Sequence, residues 1–164
     1  MEELQRDGRV KAIGVSNFQP DRATDLIVHN KVVPAVDQVE AHPFYQRIST
    51  QEFCRAQGVQ LEAWAPLAEG KHGIFQNEVL RSMAAKDGRS VAQVILRWLT
   101  QRGIAAIPQS VRPERIAENF DVFRFDLSPE NIAGIAALEM DQSSFFDHRD
   151  PAMVKSISER KLDI

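Results

Sequence analysis

Apolar residues in this chain come in short β-branched runs, each closed by polar or turn residues and each followed by a stretch with helical spacing. Val10 to Val15 reads as a buried strand ending at Ser16-Asn17, after which Pro20 and Asp21 open an amphipathic helix through Ile27 and Val28. Ala35 to Ala41 is a second strand, stopped by His42-Pro43. Ser49 and Thr50 are expected to cap a helix with Phe53 and Ala56 on its apolar side, and Gly58 to end it. A third strand, Val59 to Ala65, breaks at Pro66. An insertion holding Gly70 and Gly73 then leads to a helix from Glu78 to Lys86, a break at Gly88 and a strong helix from Ser90 to Gln101. In that helix Val91, Val94, Ile95 and Trp98 form one apolar stripe suited to packing on a sheet. Beyond Gly103, Ile104 to Ile107 is the fourth strand and Pro113 to Phe120 a helix. Ser128-Pro129-Glu130 opens another helix, carrying Ile132, Ile135, Ala136 and Leu138, while the tail from Asp141 to Ile164 is weakly patterned.

Strands that alternate with helices predict a parallel α/β sheet, because parallel neighbours need a crossover and a helix is the usual one. Pattern alone leaves open whether that sheet is doubly wound or part of a closed barrel. No G-x-G-x-x-G follows any strand, which weakens the open dinucleotide-binding fold. The polar residues Ser16, Asn17, Gln38, Glu40, Trp64, Gln109 and Ser110 fall where the strands end, on the rim where parallel α/β folds bind ligands. The same types are also ordinary turn and cap formers.

Composition narrows the chemistry. The 164 residues are 43% hydrophobic and 26% charged, in the range of a single folded domain and outside that of a disordered chain. A net charge of −3 without any dense Lys/Arg block argues against a nucleic-acid or anionic-membrane surface. Cys54 is the sole cysteine, so no internal disulfide forms, and with no signal-like or spanning apolar stretch a cytoplasmic location is expected. His29, His42, His72 and His148 share no metal-ligand spacing, and no G-x-S-x-G elbow or phosphate loop occurs, so neither a metal nor a nucleophile is assigned.

Five segments in order carry a resemblance: Gly14-Val15-Ser16-Asn17-Phe18; Gln38-Val39-Glu40 with His42-Pro43; Trp64-Ala65-Pro66-Leu67; Val91 to Trp98; and Ile107-Pro108-Gln109-Ser110-Val111 through Arg115 to Asn119. Together they resemble the consecutive signatures of the aldo-keto reductase family. That resemblance implies a TIM barrel, with these strands as the last four of eight, and a nicotinamide cofactor. Residues 1–164 would then be a single partial domain, the C-terminal half-barrel, with 141–164 as its tail, since a complete barrel needs about 250 residues. By resemblance Ser16, Asn17 and Gln38 hold the nicotinamide carboxamide, Trp64 stacks on the ring, and Ala65 and Leu67 follow the pyrophosphate. Gln109, Ser110, Val111, Arg115, Glu118 and Asn119 face the adenosine end. Gln109 stands where many members have a lysine for the 2′-phosphate, so the preference for NADP(H) over NAD(H) falls on Arg115, with Ser110 assisting.

The family's aspartate, tyrosine, lysine and histidine lie on the other half, so no catalytic residue is assigned here; Tyr45 and His42 belong to different motifs. The implied partners are a nicotinamide dinucleotide and, in a complete barrel, a small aldehyde or ketone. Phe145, Phe146, His148 and Arg149 lie in the tail that borders the family's substrate pocket. The competing reading is a non-catalytic half-barrel whose exposed strand edges close a barrel with a second copy as a homodimer.

Overall fold

The computed structural model describes residues 1–161. A short helix, α1 (Glu2–Arg6), leads through Ile13 and Gly14 to strand β1 (Val15–Ser16). Helix α2 (Pro20–His29), strand β2 (Val36–Glu40), helix α3 (Ile48–Gln57) and strand β3 (Gln60–Trp64) follow. A kinked 3₁₀ segment (Ala68–Gln76) precedes α4 (Glu78–Asp87), α5 (Val91–Gln101), β4 (Ala105–Ala106), α6 (Pro113–Phe120), α7 (Pro129–Ala136) and α8 (Pro151–Ser158). The four strands form one sheet in the order β1-β2-β3-β4, with every neighbouring pair parallel. The α/β expectation therefore holds.

The ends of the sheet correct the expected strand bounds. β1 pairs only at Val15 and Ser16, and β4 only at Ala105 and Ala106. Val10 to Gly14 runs alongside β2 with a single bond, from the Ala35 amide to the Ile13 carbonyl at 2.8 Å, and is half-exposed or exposed throughout. Each of these strands has one neighbour, and a ladder bonded on one side ends sooner than one bonded on both.

One face of the sheet is a packed core and the other is open. Leu61, Ala63 and Val39 point to the helical side, where Val94, Ile95, Trp98 and Leu99 of α5 are almost fully buried against them. α5 starts there because Ser90 and Gln93 form a reciprocal capping box that satisfies two helix-end donors. Gly58 and Gly88 end α3 and α4 in the left-handed conformation, as their positions lead one to expect. Helix α3 differs from expectation. Arg47, at φ 58°, precedes its first turn, so Ser49 and Thr50 lie inside it and cap nothing; the side it buries is Thr50 and Cys54, with Phe53 only partly covered and Ala56 exposed. On α7, Ile135 is buried while Ala136 faces solvent. The tail contains a helix that its weak patterning did not announce, capped by the Asp150 carboxylate accepting from the Ala152 amide at 2.9 Å.

Candidate functional site

Three of the four strand ends deliver side chains into one hydrogen-bonded set. The Ser16 hydroxyl donates to the Gln38 carbonyl at 3.0 Å and accepts from Asn17 Nδ2 at 3.0 Å, while Trp64 Nε1 donates to Asn17 Oδ1 at 2.8 Å. Asn17 sits at φ 61°, a left-handed position that asparagine tolerates, and its amide N–H also donates to the Gln38 carbonyl at 2.9 Å. Ala65, at φ 46°, turns the chain sharply after β3 and leaves the indole of Trp64 at the rim. Gln38 Nε2 donates to Glu62 Oε1 at 2.7 Å, across the β2–β3 register that places these two residues opposite each other. Among the described residues these contacts leave one side-chain N–H of Asn17, one side-chain N–H of Gln38 and the side-chain Oε1 of Gln38 free, a donor and acceptor set that matches a carboxamide.

A groove of about 630 Å³ opens beside this set, lined by Gln38, Trp64, Ala65, Leu67, Gln109 and Arg115 among others. The remaining adenosine-end candidates do not gather there. Ser110 lines a separate pocket of about 350 Å³ together with Asn119, Ile116 and Phe120. The Ser110 hydroxyl also accepts from the Arg112 amide at 3.1 Å, which is turn chemistry at the entry to α6. Val111 projects into solvent at 91% exposure. Glu118 offers its carbonyl to Gln93 Nε2 at 3.3 Å, tying α6 to α5. Among the rim residues, Glu40 is nearly fully buried and belongs to a different network. His42 Nε2 lies 2.9 Å from its Oε1, the Ser144 amide donates to the same oxygen at 2.7 Å, and the Ser143 hydroxyl donates to Oε2. Burial opposes ionisation of this carboxyl, but the His42, Ser143 and Ser144 hydrogen bonds prevail and hold it below the usual carboxylate range.

Two participants escape sequence reasoning. Glu62 could have been found, because strand alternation puts it on the face of Trp64 and opposite Gln38. The meeting of Phe145 with Trp64, centroids 5.0 Å apart, joins positions far apart in the sequence and carries no local signal. Of the tail residues, His148 also stands edge-on to Trp64 at 6.4 Å, whereas Arg149 pairs with Asp147 at the surface. Among the described residues no helix is long and apolar enough to cross a membrane.

Comparison with known proteins gives a consistent result. The chain matches the family model described as "Aldo/keto reductase family" over residues 1–140. It is 46% identical over 142 residues to a glyoxal reductase from Bacillus subtilis (strain 168), covering 87% of this chain and 51% of that protein. A crystal structure of MGS-M4, an aldo-keto reductase enzyme from a Medee basin deep-sea metagenome library, superposes with a TM-score of 0.86 at 38% identity, over 91% of this chain and 55% of that one. A mutant of Gox0644 in complex with NADPH superposes with a TM-score of 0.80 at 39% identity, over 84% of this chain and 50% of that one. The chain thus spans about half the length of the relatives it matches.

Proposed function

The chain belongs to the aldo-keto reductase family, its parallel strand-helix units forming the second half of a TIM barrel, and from that premise we propose that it is the cofactor-binding half of an NADP(H)-dependent reductase of aldehydes or ketones. The observation that carries this reading is the hydrogen-bonded chain Trp64–Asn17–Ser16 beside Gln38, which leaves a carboxamide-matched set next to an aromatic face. Ser16, Asn17 and Gln38 would hold the carboxamide, Trp64 would stack on the ring, and Ala65 and Leu67 would border the pyrophosphate. Gln109 and Arg115 line the same groove and would meet the adenosine phosphate. The bound dinucleotide supplies the hydride; these residues supply its placement, which preorganises the transfer without performing it. Gln109 brings no charge, so selection of NADP(H) over NAD(H) rests on the guanidinium of Arg115. Ser110, Val111, Glu118 and Asn119 are secondary in this assignment, since none of the four lines the groove. The family's aspartate, tyrosine, lysine and histidine have no counterpart in this segment, so it binds without turnover on its own. Its working location is the cytoplasm.

A second reading is favoured by a specific feature, the two unpaired edges of the sheet. Beside β1 lies an apolar pocket of about 250 Å³ lined by Ile13, Val15, Leu26 and Val32, and beside β4 the 350 Å³ pocket already described. Two copies pairing β4 with β1 of the other would close a barrel as a homodimer.

The test is a titration of the purified chain with NADPH and with NADH, followed by tryptophan fluorescence. Trp98 is 1% exposed, so quenching reports Trp64. Saturable quenching, stronger with NADPH and weakened in an Arg115→Ala variant that keeps the Trp64 reporter, is expected. Equal affinity for both dinucleotides would remove Arg115 from its role, and no binding would overturn the cofactor assignment.

A further inference from the structure

Among the described residues, Glu40 is the one on the open sheet face that is buried, at 3% exposure, while its face-mates Gln38, Glu62 and Trp64 are half-exposed. What covers it is the tail. The chain is led in by two bonds from the loop after β2. The Met140 amide donates to the Phe44 carbonyl at 3.0 Å, and the Gln46 amide donates to Glu139 Oε2 at 2.8 Å. Ser143 and Ser144 then land on the Glu40 carboxylate, and the Ser144 hydroxyl lies 3.2 Å from His42 Nε2. Ser143 Oγ in turn accepts from the Phe145 and Phe146 amides, both at 3.0 Å, which tightens the turn that follows. From the opposite side, Lys71 of the 3₁₀ segment donates to the Ser144 carbonyl at 3.2 Å, and its ammonium stands 3.6 Å from the centroid of the Phe145 ring. Between these two anchors Phe145 and His148 lie against Trp64, and Phe146 stacks on His148 at 4.5 Å.

We propose that Glu40 is a positioning residue: with Lys71 opposite, it fastens residues 143–148 as a strap that presses Phe145 and His148 onto Trp64 and thereby slows release of a dinucleotide seated on that indole. The proposal rests on the cofactor reading above for the seat, but its anchor stands on the contacts alone. The chemistry explains why a carboxylate serves. Three donors converge on two oxygens, each of which has lone pairs for more than one, and a charged acceptor strengthens each bond about twofold over a neutral one. A glutamine at this place would turn an N–H₂ toward Ser143, whose oxygen already accepts from two amides. The cation over the Phe145 ring adds a contact that needs no competing acceptor.

Glu40→Gln and Glu40→Asp variants test the anchor by hydrogen exchange, since both leave the acceptor of the Phe145 and Phe146 amides in place, and Lys71→Met and Ser143→Ala test its consequence by stopped-flow release of NADPH. The expected result is exchange at the Phe145 and Phe146 amides at least tenfold faster in the first two, with α5 and α7 unchanged. NADPH dissociation should rise at least fivefold in the second pair, with association changed less. Unchanged exchange at these amides, or exchange raised equally in α5 and α7, would overturn the anchor, and Glu40→Asp, which keeps the charge but shortens its reach, decides this if Glu40→Gln does not fold. Unchanged dissociation from a released strap would overturn the positioning role. A wild-type chain that binds no NADPH removes the cofactor seat and with it the effect on release, while the exchange data still judge the anchor.

Discussion

Asp37 is held where burial and charge oppose each other. It is 2% exposed, its Oδ1 receives only a long bond from the Phe18 amide at 3.4 Å, and its Oδ2 has no partner among the described residues. Arg47 lies near enough to act through space, but its guanidinium is spent on the Tyr45 hydroxyl and on Gln19 Oε1. Burial therefore pushes the carboxyl up to about 6, against the smaller pull of the Phe18 bond and Arg47. The folded state then holds this proton more tightly than the unfolded one, so the group's contribution to stability is greatest in acid. It falls as pH rises from about 4 to about 6 and is flat beyond; a shift of about two units is worth roughly 3 kcal/mol. Asp37→Asn keeps an oxygen for Phe18 and removes the charge, at the cost of an amide with an unpaired end. It should be more stable than wild type by about 1–2 kcal/mol at pH 7.5, with the advantage shrinking as pH falls below about 6. Urea midpoints of both proteins at pH 7.5 and pH 4.5 check this, and a gap independent of pH would refute it. The depressed carboxyl of Glu40 has the opposite sign, since its contribution is present above the ordinary glutamate range and is lost as pH falls through its lowered value. It is common to both proteins and cancels in the difference.

At the scale of elements, the approach of β1 to β2 depends on a missing side chain. A Cβ on Gly14 would stand 2.8 Å from the Val36 carbonyl oxygen and 3.3 Å from its Cβ, and a backbone atom cannot swing aside. Gly14→Ala should cost about 1–3 kcal/mol and weaken dinucleotide binding as well, because Ser16 two residues on would lose its grip on the Gln38 carbonyl. Gly134→Ala is the control. Its Cβ would meet Met83 Cε at 2.8 Å, the end of a flexible chain, and a gain in helix propensity of roughly 1 kcal/mol offsets the crowding, so thermal melts should separate the two variants clearly. The contrast between local and distant determinants also explains what could be read from sequence. Helices announced themselves through chemistry within one turn: Ser90, Gly58, Gly88, and Pro113 after the fourth strand all mark ends found in the structure. Strand ends did not, because Ile104 and Ile107 pair or fail to pair according to a neighbour that β4 lacks on one side. The rim residues Ser16, Asn17, Gln38 and Trp64 were legible from their place after strands. Ser143 on Glu40 and Phe145 on Trp64 were not, since only the folded path of the tail brings them together.

The whole molecule is a sheet with one finished face and two unfinished edges. Its open face is lined by Gln38, Glu62 and Trp64, and a polar lining of that kind tolerates water where an apolar one would not. The flanks are different. Beside β4, Phe120 and Phe123 are 79% and 64% exposed and touch each other edge-on at 6.3 Å, next to Ile116 at 53%. Parallel strands in the order β1-β2-β3-β4 leave β1 and β4 at opposite edges and both pointing the same way, so a two-fold axis along the barrel would set each β4 beside the other copy's β1 in parallel. Such a contact is closed after two copies; the same edges joined without that axis would keep growing. Light scattering across a concentration series separates these outcomes. Mass that levels at twice the chain, and returns to a single chain in a Phe120→Lys, Phe123→Lys variant, is the result expected of two-fold closure. Mass that climbs without a plateau would mean that the edges pair indiscriminately, and that the apolar flank is fitted to another sequence, such as the remainder of the barrel in the relatives, about half of whose length this chain spans.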